Sequence, residues 1–185
     1  LLGSPHMRSP FHLRIPRVGL VFFTLFSTIG CDQVTKVVAI DTLKGLEPIH
    51  YLWGMFRLEY AENPGAFLGL GRGMSDELRF WIFTVTVGVA MAFTVYIVLR
   101  KPQSLFHTLA LSLLAGGGIS NFLDRAFREE GHVIDFMNVG VGDLRTGIFN
   151  IADVAIMAGV IMLFLRPFIE RMNENECASQ GFRLQ

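Results

Sequence analysis

The chain has 185 residues, of which 51% are hydrophobic and 17% charged, and its 16 basic and 16 acidic residues balance to a net charge of zero. Its mean hydropathy is positive, at +0.45. This composition excludes a disordered chain, a nucleic-acid-binding protein that relies on net positive charge, and an ordinary soluble enzyme. It is typical of an integral membrane protein, and the length predicts a single domain.

The two ends of the chain look different from its middle. Residues 1–6 are interpreted as an expression scar ahead of a native start at Met7, and they are excluded from the argument. The domain is expected over residues 7–170, with a cytoplasmic tail at 171–185. Two cysteines are too few to form a disulfide framework.

Four apolar stretches are long enough to cross a bilayer core, which requires about 20 residues in a helix. They cover residues 18–40, 80–99, 104–123 and 148–165. The predicted fold class is therefore an all-α integral membrane protein with four transmembrane helices.

The two long connections, 41–79 and 124–147, lie on the same side of this predicted bundle. Lys and Arg are denser in the segments at the other side, where Arg100 and Lys101 fill the tight turn between the second and third helices. The positive-inside rule therefore predicts that both termini face the cytoplasm and both long loops face outside. Functional residues often lie in loops held by a rigid scaffold, so we expect the functional site there.

The first long loop contains signals for local structure. Phe56, Leu58 and Tyr60 alternate with charged residues, which predicts a short half-buried strand. Gly71-Arg72-Gly73 predicts a turn, and Ser75 predicts an N-cap that opens the second transmembrane helix.

Charged groups inside apolar segments are costly, so each is a candidate for a paired or functional residue. Asp32 and Lys36 are four residues apart on one face of the first helix, where a structural ion pair is the simpler interpretation. Asn121, Asp124 and Arg125 share a face at the end of the third helix, where a polar helix terminus would explain them equally well.

Two further segments combine polar residues with glycine. Asn63-Pro64-Gly65-Ala66-Phe67 predicts a turn, in which Asn63 is either a turn residue or a hydrogen-bonding group for an extended ligand. Gly116-Gly117-Gly118 permits the close approach of a neighbouring helix or a ligand.

Two acids remain, and each lies among apolar residues. Asp153 lies near the start of the fourth helix, where an acid ordinarily complements the helix dipole, and it shares a face with Asn150. If Asp135 and Asp153 converge, they share a proton, and one can act as base on a water while the other acts as acid on a scissile carbonyl. Asp124 is a rival to Asp135, but Arg125 is its neighbour in sequence, whereas the apolar neighbours of Asp135 favour a raised pKa. The pattern permits aspartic-protease chemistry, and the sequence contains no competing Ser-His-Asp arrangement or metal-ligand spacing.

Taken together, these residues form five motifs in chain order. They are Asp32-Gln33-x-x-Lys36, Asn63-x-Gly65-Ala66-Phe67, Gly117-Gly118-x-x-Asn121-x-x-Asp124-Arg125, Val133-x-Asp135-Phe136 and Phe149-Asn150-x-Ala152-Asp153. On a four-span chain of this length, the set resembles the bacterial lipoprotein signal peptidases (signal peptidase II), over about residues 14–169.

The resemblance implies an inner-membrane aspartic endopeptidase. Members of the family remove the signal peptide from prolipoproteins just before a diacylglyceryl-modified Cys, and their two catalytic aspartates match Asp135 and Asp153. The resemblance also implies a small extracytoplasmic β-cradle and a short surface helix beside the four spans. It implies that no metal or organic cofactor is used, and that the cyclic peptide globomycin inhibits the enzyme by occupying its site.

The resemblance extends to further residues and to partners. Substrate-binding roles are implied for Asn63, Gly65, Asn121, Arg125 and Asn150. Structural support is implied for Asp32, Lys36, Gly118 and Asp124. The expected partners are diacylglyceryl-modified prolipoproteins and membrane lipid, with no nucleic acid, and the enzyme is expected to be a monomer.

Three other functions are compatible with parts of the sequence. Thr28-Ile29-Gly30-Cys31 loosely resembles the lipobox of a lipoprotein, but Thr replaces the usual Leu or Val and three further spans follow. A small proton-coupled transporter would use acids within its spans, but such transporters often contain internal repeats, which are absent here. A non-catalytic membrane scaffold is the third alternative, and loss of cleavage on neutralising either acid would distinguish a protease from it.

Overall fold

The computed structural model describes residues 14–65 and 73–182. Two positions of the second motif, Ala66 and Phe67, and part of the turn predicted around residue 71 lie outside these ranges.

Four long helical segments dominate the described ranges. They are α1 (Arg14–Leu43), a continuous run of α2 (Asp76–Arg79), a π-helical segment (Phe80–Thr86) and α3 (Val87–Arg100), then α4 (Leu105–Phe127) and α5 (Ile151–Phe182). Each contains an apolar stretch long enough to cross a membrane. The prediction of four candidate membrane-spanning helices is therefore confirmed.

The helix ends differ from the apolar stretches that predicted them. α4 continues to Phe127, four residues beyond the predicted end, because the side chains of Asp124 and Arg125 find partners within the protein and do not need to leave the bundle. α5 begins at Ile151, three residues after the predicted start of the fourth apolar stretch, and its backbone remains helical to Phe182.

The N-cap predicted at Ser75 is present. The Leu78 amide donates to Ser75 Oγ at 3.4 Å, and the Arg79 amide donates to the Ser75 carbonyl oxygen at 3.0 Å. The first of these bonds satisfies an N–H group that the first turn of a helix otherwise leaves without a partner, and the second is the first regular hydrogen bond of the helix.

The two long loops meet in one antiparallel sheet with the strand order β1–β2–β3–β4. Its strands are β1 (Ile49–Tyr51), β2 (Phe56–Asn63), β3 (Val133–Val141) and β4 (Leu144–Arg145). The strand predicted from the alternation at 56–60 is confirmed and extends to Asn63. β2 pairs with β3 so that Ala61 lies opposite Asp135, which brings residues from both loops to one place. The small sheet implied by the family resemblance is thus present, whereas the short surface helix stays a prediction.

α4 is the central helix of the bundle, and its glycines at 116–118 explain how three helices approach it. A Cβ atom on the first would lie 3.0 Å from Cβ of Thr28 in α1. A Cβ atom on the second would clash with the carbonyl oxygen of Ala152 in α5, and one on the third would clash with Met91 in α3. Small residues at helix interfaces permit such close backbone packing in membranes.

Candidate active site

A buried group of charges joins α1 to α4, and we call Asp32, Lys36 and Asp124 the ion cluster. Lys36 Nζ lies 2.6 Å from Asp32 Oδ2 and 2.7 Å from Asp124 Oδ2, and all three side chains are at most 1% exposed. Arg128 Nε lies 2.8 Å from Asp124 Oδ1, so two carboxylates face two cations. The Asp32–Lys36 ion pair predicted from spacing is present, and Asp124 joins it as a third charged residue.

Asp32 also reaches the start of α5. The Ala152 amide, in the first turn of that helix, donates to Asp32 Oδ1 at 2.8 Å, while the Ser120 hydroxyl donates to Asp32 Oδ2 at 2.7 Å. A carboxylate is a favourable partner for the free N–H groups at a helix N-terminus. The ion cluster therefore fixes the first turn of α5, the turn that carries Asp153.

Asn150 and Asp153 form a reciprocal cap on α5. The Asp153 amide donates to Asn150 Oδ1 at 2.9 Å, and the Asn150 amide donates to Asp153 Oδ2 at 3.2 Å. This exchange has the form of a capping box. Asn121 Nδ2 donates to Asp153 Oδ1 at 3.0 Å, so both carboxylate oxygens accept from an N–H group.

Asp135 lies on β3 and is 1% exposed. Asn150 Nδ2 donates to its Oδ1 at 2.6 Å, and Asn63 Nδ2 donates to its Oδ2 at 2.9 Å. Asn150 therefore contacts both acids and fixes their relative position. Burial, and then the negative charge of Asp153, raise the pKa of Asp135 to about 7.

Both acids line one cavity of about 940 Å³. Its polar lining includes Asn63, Gly118, Asn121, Arg125, Asp135, Arg145 and Asp153. Its apolar lining includes Phe83, Val87, Val133, Phe149, Val154, Ile156, Met157 and Ile161. The cavity thus combines a titratable pair with an apolar wall supplied mainly by the second and fourth spans.

The residues expected to bind substrate fall into two groups. Asn63, Asn121 and Arg125 line the cavity, whereas Gly65 and Asn150 are not among its described lining residues. Gly65 instead positions Arg125 and Asn63. Its carbonyl oxygen accepts from Arg125 Nη2 at 2.7 Å, and its amide donates to Asn63 Oδ1 at 3.0 Å. Asn150 is fully buried behind the two acids.

Asp124, the rival of Asp135 in the sequence, is outside the described lining of the cavity. Its Oδ1 accepts from Gln33 Nε2 at 3.0 Å and from Arg128, while its Oδ2 contacts Lys36 and the Ile134 amide. Four donors surround this carboxylate, and two of them are cationic. Such an acid is suited to holding helices together.

Arg145 is a cavity-lining residue that the sequence reasoning missed. Its guanidinium donates to Asn138 Oδ1 and to the carbonyl oxygens of Gly54 and Met55, at 3.0 and 3.4 Å for the two carbonyls. It therefore ties the turn after β1 to the end of β3. A signal was available, because Gly142-Asp143 after the apolar segment that ends at Val141 has the composition of a two-residue hairpin turn, which predicts a returning strand at Arg145.

Comparison with known proteins identifies the family. A protein family described as Signal peptidase (SPase) II matches residues 24–169. The chain belongs to the signal peptidase II family. The family recognised from the five motifs is thereby confirmed.

Relatives named lipoprotein signal peptidase match most of the chain. The Geobacillus thermodenitrificans protein is 33% identical over 153 residues, covering 82% of this chain and 91% of that protein. The Geobacillus kaustophilus protein is 36% identical over 138 residues, covering 74% and 85%. A solved structure described as a bacterial membrane enzyme superposes with a TM-score of 0.71 at 28% identity, covering 84% of this chain and 92% of that one.

This signal peptidase II is therefore a membrane peptidase of lipoprotein processing, which cleaves signal peptides from prolipoproteins. The transporter and scaffold alternatives are not favoured.

Proposed function

We propose that this signal peptidase II is an aspartic endopeptidase whose catalytic pair is Asp135 and Asp153. One observation carries the proposal: the buried carboxylate of Asp135 and the half-buried carboxylate of Asp153, bridged by Asn150, face the same cavity and are held by amide groups rather than by cations. An acid with a pKa of about 7 exchanges protons readily near neutral pH, which suits it to general acid–base catalysis.

The environment of each acid favours a division of roles. Asp153 lies in the first turn of α5, where the helix dipole stabilises negative charge, and both of its oxygens accept hydrogen bonds. Asp135 has its pKa raised by burial and by the charge of Asp153. In the proposal the shared proton is assigned to Asp135, and Asp153 is the base.

In the proposed reaction, Asp153 accepts a proton from a water as its oxygen attacks the scissile carbonyl carbon. Asp135 donates its proton to the carbonyl oxygen, which gives a neutral tetrahedral diol. Asp153 then donates the acquired proton to the leaving nitrogen as the carbon–nitrogen bond breaks. Asp135 recovers a proton from a diol hydroxyl as the new carboxyl group forms, which restores the starting pair.

The remaining cavity residues suit a lipid-modified peptide. Asn63, Asn121 and Arg125 supply side-chain hydrogen-bonding groups beside the acids, where an extended peptide backbone would lie. The apolar wall between the second and fourth spans suits acyl chains, whose burial contributes about 0.8 kcal/mol per CH₂. The substrate of the proposal is a prolipoprotein cut just before its diacylglyceryl-modified Cys, with its lipid entering sideways from the bilayer.

Several finer expectations belong to the same proposal. Asp32, Lys36, Gly118 and Asp124 support the site, and the peptidase domain covers residues 7–170 ahead of a cytoplasmic tail. The enzyme is a monomer of the bacterial inner membrane, with both termini cytoplasmic and the site near the outer face, and globomycin inhibits it by filling the cavity. Reporter fusions at Gln103 and Gly71 test the orientation, and the same sidedness at both positions would contradict it.

The experiment that tests the proposed function is cleavage of a defined substrate. Purified enzyme in detergent is incubated with a diacylglyceryl-modified prolipoprotein and, in parallel, with the same protein lacking the lipid. The modified protein should be shortened, whereas the unmodified one should remain intact because it lacks the binding energy of the acyl chains.

The two arms distinguish different failures. Equal cleavage of both forms would contradict the lipid requirement and would favour a general intramembrane aspartic protease. Cleavage of neither form by a folded enzyme would contradict the proposed peptidase reaction itself.

A further inference from the structure

A second cluster of ionisable side chains lies at the end of the sheet, apart from the catalytic pair. One carboxylate oxygen each of Glu62 and Glu130 and one ring nitrogen of His132 lie within 4.8 Å of one another. Glu62 is next to Asn63 on β2, and because successive strand residues point to opposite faces, the two side chains face away from each other. We call these three residues the Glu–Glu–His cluster, which spacing along the chain did not indicate.

The imidazole of His132 faces both carboxylates of the cluster through one ring nitrogen. Its Nδ1 atom is buried and has no hydrogen-bond partner among the described residues. It lies 3.6 Å from Glu62 Oε2 and 3.6 Å from Glu130 Oε2, which is too long for a hydrogen bond. Ligand atoms of a tetrahedral zinc ion, at bond lengths of about 2.0–2.2 Å, are separated by about 3.3–3.5 Å.

The second oxygen of Glu62 is fixed by other groups. Lys44 Nζ and the Tyr60 hydroxyl donate to Glu62 Oε1 at 2.9 and 2.7 Å, which leaves Oε2 directed at His132. A carboxylate held through one oxygen presents the other in a defined position.

We propose that Glu62, Glu130 and His132 bind one divalent cation of the zinc class. A neutral imidazole with two carboxylates is a donor set that zinc accepts, whereas magnesium and calcium prefer oxygen alone. Three protein ligands would leave the fourth position to water. The bound ion would join β2 to the segment between α4 and β3, and it would do so whatever role the catalytic pair has.

Calorimetric titration of zinc chloride into the full-length protein tests this proposal. The protein is purified in detergent, dialysed against a chelator and then against chelator-free buffer. We expect saturable binding of about one zinc ion per chain, accompanied by a rise in the unfolding temperature, because a ligand of the native state stabilises it. His132→Ala should weaken binding at least about tenfold, since even groups behind the ligands of metal sites change affinity by about 10–100-fold.

Two more variants keep the result interpretable. Glu130→Gln alters a side chain that is 75% exposed, so it tests the site without disturbing a packed region, and it should also weaken binding at least about tenfold. His50→Ala removes an exposed histidine of the same sheet and should leave binding unchanged. The proposal is overturned if the parent does not bind zinc saturably, or if His132→Ala and Glu130→Gln bind within tenfold of the parent.

Discussion

The molecule holds two groups of carboxylates side by side, and their surroundings differ. Asp32 and Asp124 are balanced by Lys36 and lie outside the described lining of the cavity. Asp135 and Asp153 accept hydrogen bonds from amides and line the cavity. Burial alone therefore does not distinguish a supporting acid from a proposed catalytic one, whereas the charge of the partner does.

Asn121 connects the two groups. Its Oδ1 accepts from Lys36 Nζ at 2.9 Å and from Asn150 Nδ2 at 3.2 Å, which orients its Nδ2 towards Asp153. A cation of the ion cluster thus determines which way a neutral amide points at the other acids. Lys36 thus orients Asn121, and Asn121 in turn orients Asp153. Among the residues that the structure describes, no cation bonds directly to either acid of the proposed catalytic pair, so the pair can still exchange a proton.

The largest expected effect, and the strongest test of the difference between the two groups, comes from neutralising each acid of the proposed catalytic pair. Asp135→Asn and Asp153→Asn should each reduce cleavage by about 10⁴-fold or more, and the double variant should be no worse, because the two residues act as one unit. The assay is the prolipoprotein gel, and the unfolding temperature of each variant should stay close to that of the parent. Asp143→Asn, in the exposed turn after β3, is the matched control. Substantial turnover by Asp135→Asn alongside an inactive Asp124→Asn would transfer the role to Asp124.

Substitutions in the ion cluster should lower the stability of the protein rather than act directly on catalysis. Lys36→Met leaves two buried carboxylates facing each other without their shared cation, which should cost about 3–5 kcal/mol in the free energy of unfolding. Thermal unfolding in detergent measures this loss. Lys44→Met removes the exposed partner of Glu62 and should leave the unfolding temperature nearly unchanged, since surface ion pairs are screened by water and salt. A Lys36→Met protein as stable as the parent would refute the supporting role.

Arg125 should have an intermediate effect on cleavage. Its guanidinium donates to the carbonyl oxygens of Gly65 and Asn121, beside the acids. A charge-assisted bond contributes about 1.5–3 kcal/mol, so Arg125→Ala should slow cleavage by roughly one to two powers of ten. Steady-state kinetics on the lipidated substrate measure this, and Arg125→Lys should recover only part of the rate, because its ammonium lacks the planar fork. Complete loss in Arg125→Ala would instead place this residue among the reacting groups.

The smallest expected effect is on the pH dependence of kcat, and it tests whether Asp135 carries the proton. The proposed reaction requires Asp135 to be protonated, so kcat should fall as the pH rises through about 7, the pKa of this acid. The hydrogen bond from Asn63 lowers that pKa, so Asn63→Ala should move the alkaline limb to higher pH. The pH profile of kcat for parent and variant is the measurement. An unchanged limb, or one displaced to lower pH, would mean that Asp135 does not carry the required proton.

The same raised pKa predicts a trend in stability. Because the folded protein favours the neutral form of Asp135, its contribution to stability is fully present below the unfolded pKa of about 3.9. That contribution is lost as the pH rises towards about 7. Asp135→Asn, which cannot ionise, should lack this part of the pH dependence.

Much of the fold could be predicted from hydropathy alone, because each long apolar stretch had to be a helix in a membrane. The ends of the helices could not be predicted in this way, because polar residues such as Asp124 find partners on other helices and remain helical. Spacing did pair Asp32 with Lys36, since residues four apart share a helix face. It could not reveal that Asp124 belongs with them, or that Asn150 bridges the two proposed catalytic acids, because those contacts join distant parts of the chain.

The hydrogen bond between Asp32 and the Ala152 amide spans 120 residues of sequence. A growing chain therefore completes α1 long before the first turn of α5 exists, and this turn receives its carboxylate cap only when the last helix docks against the first. Until then Asp135 has no Asp153 beside it, and Asn121 has no acid to hold. The proposed proteolytic activity thus begins only after α5 has been made and has docked, so a chain that stops before α5 would be inert in the membrane that contains it.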